Sequence, residues 1–148
     1  MTWTKLLANH DVQRHQTSKK ELDDMRALVA RDLADSNVAG LSADRRFATA
    51  YNAALPVANM ALACGGCRVT AKTGHHKVTL DSVKLAVGNT VDKYADYFER
   101  CRRKRNVIDY TRSRVAADSE AKETVQQATD FYEFVEAWID TSFPNLRR

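Results

Sequence analysis

Hydrophobic residues recur along this chain in steps of three and four, the spacing that gathers them on one side of an α-helix. Leu22, Met25, Leu28, Val29 and Leu33 mark a first such face, opened by Thr17 or Ser18 with Glu21 as a capping pair and closed near Asp35-Ser36-Asn37. Beyond Gly40, Ser42 opens a second helix whose Phe47, Ala50, Tyr51, Ala54, Ala58 and Ala61 share a face of mostly small residues. Such a face lets a neighbouring helix approach closely, while Pro56 within it kinks the helix or frees a backbone acceptor. A third helix is expected from about Thr79 to Tyr110, striped by Leu80, Val83, Val87, Val91, Tyr94, Phe98 and Cys101 and bent at Gly88-Asn89. After a polar turn at Ala117-Asp118, Ser119 caps a fourth helix with Val125, Ala128, Tyr132, Val135, Trp138 and Ile139 on its apolar face, ended by Pro144. Residues 1–17 offer only a short turn around Trp3–Leu7 and are expected to fray or dock loosely.

Four amphipathic helices with short links make an all-α fold, an up-down antiparallel bundle of four to five helices in one domain spanning 1–148. Composition agrees: 148 residues suffice for a real core, 44% are hydrophobic, and only 5 Gly and 2 Pro leave little material for many turns. Neither a βαβ alternation nor an internal repeat is visible. Met1–His10 lacks the apolar core of a signal peptide and no run approaches the ~20 residues of a membrane span, so no membrane association and a cytoplasmic location are expected.

Charge changes this picture at one place. The net charge is a modest +4, yet seven basic residues fall between Arg100 and Arg114 against Glu99 and Asp109. Extending the stripe of the third helix past Cys101 lands on Arg105 and then Ile108, which puts a guanidinium on the seam. A cation there must be paired or line a polar cleft. Asp109, one turn on, is the nearest candidate partner, but such a pair contributes only about 0.3–0.5 kcal/mol when exposed. The cleft reading makes Arg102, Arg103, Lys104 and Arg105 an anion-seeking patch for nucleic acid or a nucleotide phosphate, with an acidic protein attracted by the same field.

Three cysteines do not make a disulfide framework in a chain of this kind. Cys64-Gly65-Gly66-Cys67 has CxxC spacing and His75-His76 follow it, a set that zinc accepts, but the simpler reading has Cys64 finishing a helix that Gly65-Gly66 end. Neither metal nor cofactor is expected. His75 and His76 precede the third helix, and about 30 residues of continuous helix would hold them on the order of 45 Å from Arg105. Within one subunit they are therefore expected not to meet it, and to serve as capping or loop groups.

The helix order, the Gly-His-His loop and above all Arg105-Asn106-Val107-Ile108-Asp109-Tyr110 resemble the HEPN superfamily of small helical domains, over roughly Ser18 to Ile139. That family sets an Arg, often a polar Asn, then a His and a Tyr late in the third helix at a dimer interface. Many members with the motif are metal-independent ribonucleases, often toxins encoded beside a nucleotidyltransferase antitoxin, and others are binding modules. The resemblance implies a homodimer with Arg105, Asn106, Asp109 and Tyr110 at the site, RNA or a nucleotide as ligand, and a nucleotidyltransferase-type protein as partner. Asp109 stands where the nucleolytic members have His. An Asp with a reference pKa near 3.9 is a weak base and no proton donor at neutral pH, so RNA cleavage is expected to be slow or absent and to be raised by Asp109→His.

Overall fold

The computed structural model describes residues 1–72, 74–110 and 114–148, with the side chains of Asp109 and Tyr110 outside that description. In chain order the elements are α1 (Trp3–Ala8), β1 (Val12–Arg14), α2 (Lys19–Ser36), α3 (Ala43–Cys64), β2 (Cys67–Val69), α4 (His75–Val87), α5 (Asp92–Tyr110) and α6 (Asp118–Ser142), with 3₁₀ turns at Asn89–Val91 and Pro144–Leu146. The protein is an all-α bundle with one small ribbon. Ser18 and Ser42 cap α2 and α3 by accepting the N–H of Glu21 and Arg45, at 3.1 and 3.2 Å. The last long helix begins one residue before the expected Ser119, behind Ala117, which gives no side-chain cap.

The axis of the bundle is α3. Its Phe47, Ala50, Tyr51, Ala54, Ala58 and Ala61 are all buried, and α2, α4, α5 and α6 pack around it. Alanine at these positions lets four helices crowd one. From α6, Phe131 stacks between Tyr94 and Phe98 of α5, with centroids 5.4 and 5.7 Å apart. Leu28, grouped with the buried face of α2 by its spacing, is instead 41% exposed.

Residues 1–17 do not fray. β1 pairs antiparallel with β2, Val12 against Val69 and Arg14 against Cys67, and Leu6, Val12 and Cys67 form a small second core. Three-residue strands carry no readable alternation, so the ribbon was hidden in the loop after Gly65.

The third expected helix is two helices. Gly88 has φ 102° and ψ −174°, a conformation open to glycine alone, and the turn at Asn89–Val91 reverses the chain. α5 therefore runs back along α4, as the 2.5 Å ion pair of Lys84 with Asp96 shows. The stripe misled because the reversal keeps the spacing: Val83, Val91, Tyr94 and Phe98 all face the core on either side of the break.

Candidate functional site

The reversal at Gly88 brings together what a continuous helix would keep apart. His75 and His76, in the first turn of α4, lie beside Arg102, Arg105 and Asn106 near the end of α5, and with Gly74 and Lys77 they line one cleft of about 350 Å³. The expectation that the histidines and Arg105 cannot meet within one subunit is therefore corrected. Among the described residues lining this cleft none is acidic.

Tyr51, wholly buried on α3, lies close to two of these side chains. Its ring lies 5.9 Å from the Arg105 guanidinium carbon and 6.3 Å from the His76 ring centroid. Burial raises its phenol well above the ordinary range, against the pull of Arg105 and Arg102, so Tyr51 stays neutral. Its hydroxyl makes no hydrogen bond among the described residues.

The two imidazoles meet edge to face at 4.4 Å. His75 donates from Nδ1 to the carbonyl of Lys72 at 3.0 Å, because a carbonyl only accepts. His76 is half-buried. Burial first, then the charges of His75, Arg105 and Arg102, pushes its pKa below the ordinary 6.5. At neutral pH it is an uncharged base beside two guanidinium groups.

The basic run divides by helix geometry. Arg102 turns to the cleft but is gripped by Glu99, whose carboxylate takes its Nε and Nη2 at 3.0 and 2.9 Å. That fork, ahead of the opposing desolvation, holds Glu99 below the usual carboxylate range. Arg103 also approaches Glu99, at 3.7 Å, with its side chain 75% exposed. Lys104 turns away to α6, bonding Glu120 and lying 5.8 Å from the Phe47 ring. Of the four predicted nucleic-acid-binding cations, the structure thus gathers Arg102 and Arg105 at the cleft and sets Arg103 and Lys104 outside it. Asn106 joins the lining, whereas the side chains of Asp109 and Tyr110 lie outside the described residues.

Asp44 at the start of α3 accepts the N–H groups of Arg114, Val115 and Ala116 at 2.5, 2.9 and 2.8 Å and so ties the segment before α6 to α3. The bonds, that of Ala116 foremost, lower its pKa. Cys64 ends α3 with Gly65 as its C-cap, and Cys67 lies in β2, so the CxxC pair is divided between two elements. Burial pushes the Cys64 thiol up to about 11, far from the thiolate a metal requires. Among the described residues no group of three or more His, Cys, Asp or Glu is placed to hold a metal.

A helical bundle packed around one small-residue helix places the protein in the class of small all-α domains. A family model described as HEPN_SAV_6107-like HEPN matches residues 39–136, and the chain belongs to the HEPN superfamily. The match covers α3, the hairpin and most of α6. No curated protein and no solved structure matches the chain. Among the described residues no helix is long and apolar enough to cross a membrane.

Proposed function

We propose that this HEPN domain binds a phosphate of RNA or of a nucleotide in the cleft between α4 and α5. The observation that carries the reading is the meeting of Arg105 and Arg102 with His75 and His76 in one cleft, with no carboxylate in the described lining. Arginine offers planar, permanently charged donors to phosphate oxygens. The family resemblance adds a homodimer, in which two Arg105 side chains approach a shared groove, and a nucleotidyltransferase-type partner of toxin–antitoxin or defence kind.

One observation favours a second reading, metal-independent RNA cleavage. The imidazole that Asp109 fails to supply is present on α4, with its pKa lowered and with Arg105 beside it. In that reading neutral His76 takes the proton of a 2′-hydroxyl, and the 2′-oxygen attacks phosphorus while Arg105 offsets the charge on the phosphoryl oxygens. The P–O5′ bond then breaks, leaving a 2′,3′-cyclic phosphate and a 5′-hydroxyl whose proton comes from protonated His75.

Titration of a labelled RNA oligonucleotide at several salt concentrations tests the binding reading. Affinity should fall steeply with salt and should drop at least tenfold in Arg105→Ala. Salt-independent binding, or binding unaltered by Arg105→Ala, overturns it. Incubation with chelator present, followed by analysis of the product ends, decides whether cleavage accompanies binding.

A further inference from the structure

The cleft does not end at the histidines. His75 and His76 also line a second hollow of about 330 Å³ with Arg31, Asn52, Pro56 and Asn59, and His75, Pro56 and Asn59 line a third of about 360 Å³ walled by Met25, Leu28 and Val69. Shared lining residues make the three one trough running from α5 along α3 to the ribbon. Its chemistry changes along the way: cationic at Arg105, amide in the middle, apolar at the far end with His15, Glu21 and Arg68 at the edge. A lone phosphate needs only the first part.

The middle and far parts carry features that folding does not explain. Asn52 and Asn59 stand seven residues apart on α3, both half-buried, and neither side-chain amide makes a hydrogen bond among the described residues. Each retains a donor and an acceptor side by side, the pattern that matches the edge of a nucleobase. Pro56 sits between them and offers a flat ring surface without an N–H. Leu28, one of few large hydrophobic residues left exposed, walls the last hollow with Met25.

Taking the phosphate reading as its basis, we propose that this trough seats an unpaired nucleotide strand, with one phosphate at Arg105 and the adjoining base laid over Pro56, its edge read by Asn52 and Asn59 and its face against Met25 and Leu28. Duplex nucleic acid is excluded because its base edges and faces are occupied, whereas unpaired bases can be splayed into such hollows. An extended acidic peptide would set carboxylates against Asp32 in the middle hollow and Glu21 in the far one, whereas the base placed there is uncharged.

The test measures binding of a single-stranded RNA pentamer and of an abasic ribose-phosphate pentamer of equal charge. The Asn52→Ala/Asn59→Ala double variant should weaken RNA binding roughly tenfold and leave the abasic strand unchanged, since base contacts are being removed and phosphate contacts are not. Leu28→Ser, an uncharged change at an exposed position that threatens the fold less, should act in the same direction. Arg105→Ala should weaken both strands. If Arg105→Ala acts as expected while the asparagine and Leu28 variants bind the two strands as the natural protein does, the trough proposal falls and the phosphate reading stands. Equal losses on both strands in those variants also overturn it, by showing a structural effect. Should Arg105→Ala change neither, the phosphate reading itself falls and takes the trough with it.

Discussion

Two arginines from neighbouring regions of the bundle meet opposite surroundings. Arg26 of α2 is 8% exposed, and Glu136 of α6, which receives its Nε and Nη2 at 2.9 Å each, is 1% exposed. Asp23 accepts from Arg26 at 2.8 Å, the carbonyl of Leu146 does the same, and the Tyr132 hydroxyl donates to Glu136 at 2.8 Å. This network fastens α2, α6 and the C-terminal turn together and has spent its hydrogen bonds internally. Arg105 lies only partly buried near Tyr51, at a cleft that it lines with Arg102, Lys77, His75, His76 and Asn106. The first arrangement is sealed inside the bundle and holds the fold; the second stands at a surface cleft.

The largest effect should come from opening the closed network. Glu136→Ala strands the buried Arg26 guanidinium and should cost about 3–5 kcal/mol in a denaturant melt, whereas Arg105→Ala should cost under about 1 kcal/mol. A double variant with Met at 26 and Leu at 136 should regain much of the loss, because packed apolar groups leave no charge uncompensated. Equal sensitivity of the two arginines would erase the distinction drawn between them.

Next comes the cleft. If the chain cleaves RNA, His76→Ala should lower the rate about 10²–10⁴-fold with the melting temperature nearly unchanged, as measured by release of cyclic-phosphate ends in chelator. His75→Ala should lower the rate as well, because the leaving 5′-oxygen then lacks its proton donor.

Replacing Asp44 by Ala should cost about 1–2 kcal/mol, since three backbone donors at 114–116 lose a charged acceptor. Its lowered pKa gives the sign of a pH effect: the contribution is complete above the unfolded value of 3.8 and is lost as pH falls below it. The variant's melt should therefore converge on that of the natural protein in strong acid.

The smallest effect belongs to His76 titration. With its folded pKa below 6.5, the folded protein binds fewer protons than the unfolded chain just under that pH, so stability is unaffected above 6.5 and declines as pH falls from 6.5 toward the folded value. Inorganic phosphate in the cleft should favour the imidazolium and raise that pKa, which imidazole proton resonances would report. A His76 titration above 6.5 in phosphate-free buffer would contradict the half-buried, cation-flanked placement.

Much of the bundle was legible from periodicity. The caps at Ser18 and Ser42, the small-residue face of α3 and the end of α6 before Pro144 follow from local rules that the tertiary structure leaves intact. The anomalous Arg105 was visible too, because a charge on an apolar stripe breaks a pattern. Its companions were hidden for a specific reason: Val83 through Phe98 remain in step across Gly88, so spacing could not distinguish a bend from a reversal. The Arg26–Glu136 pair, 110 residues apart, leaves no local trace. Tyr51 reads as one more core residue until the geometry puts Arg105 and His76 upon it.

Gly88 also decides what a substitution at the reversal would do. An L-residue there is strained at φ 102°, and straightening would relieve the strain by joining α4 and α5 into a single rod. The rod would carry His76 on the order of 45 Å from Arg105. Core faces of α4 and α5 would then find their places on α3 only by exchange with another molecule, which is the route to a domain-swapped dimer. In such a dimer each cleft would be rebuilt from two chains, the imidazoles of one and the arginines of the other.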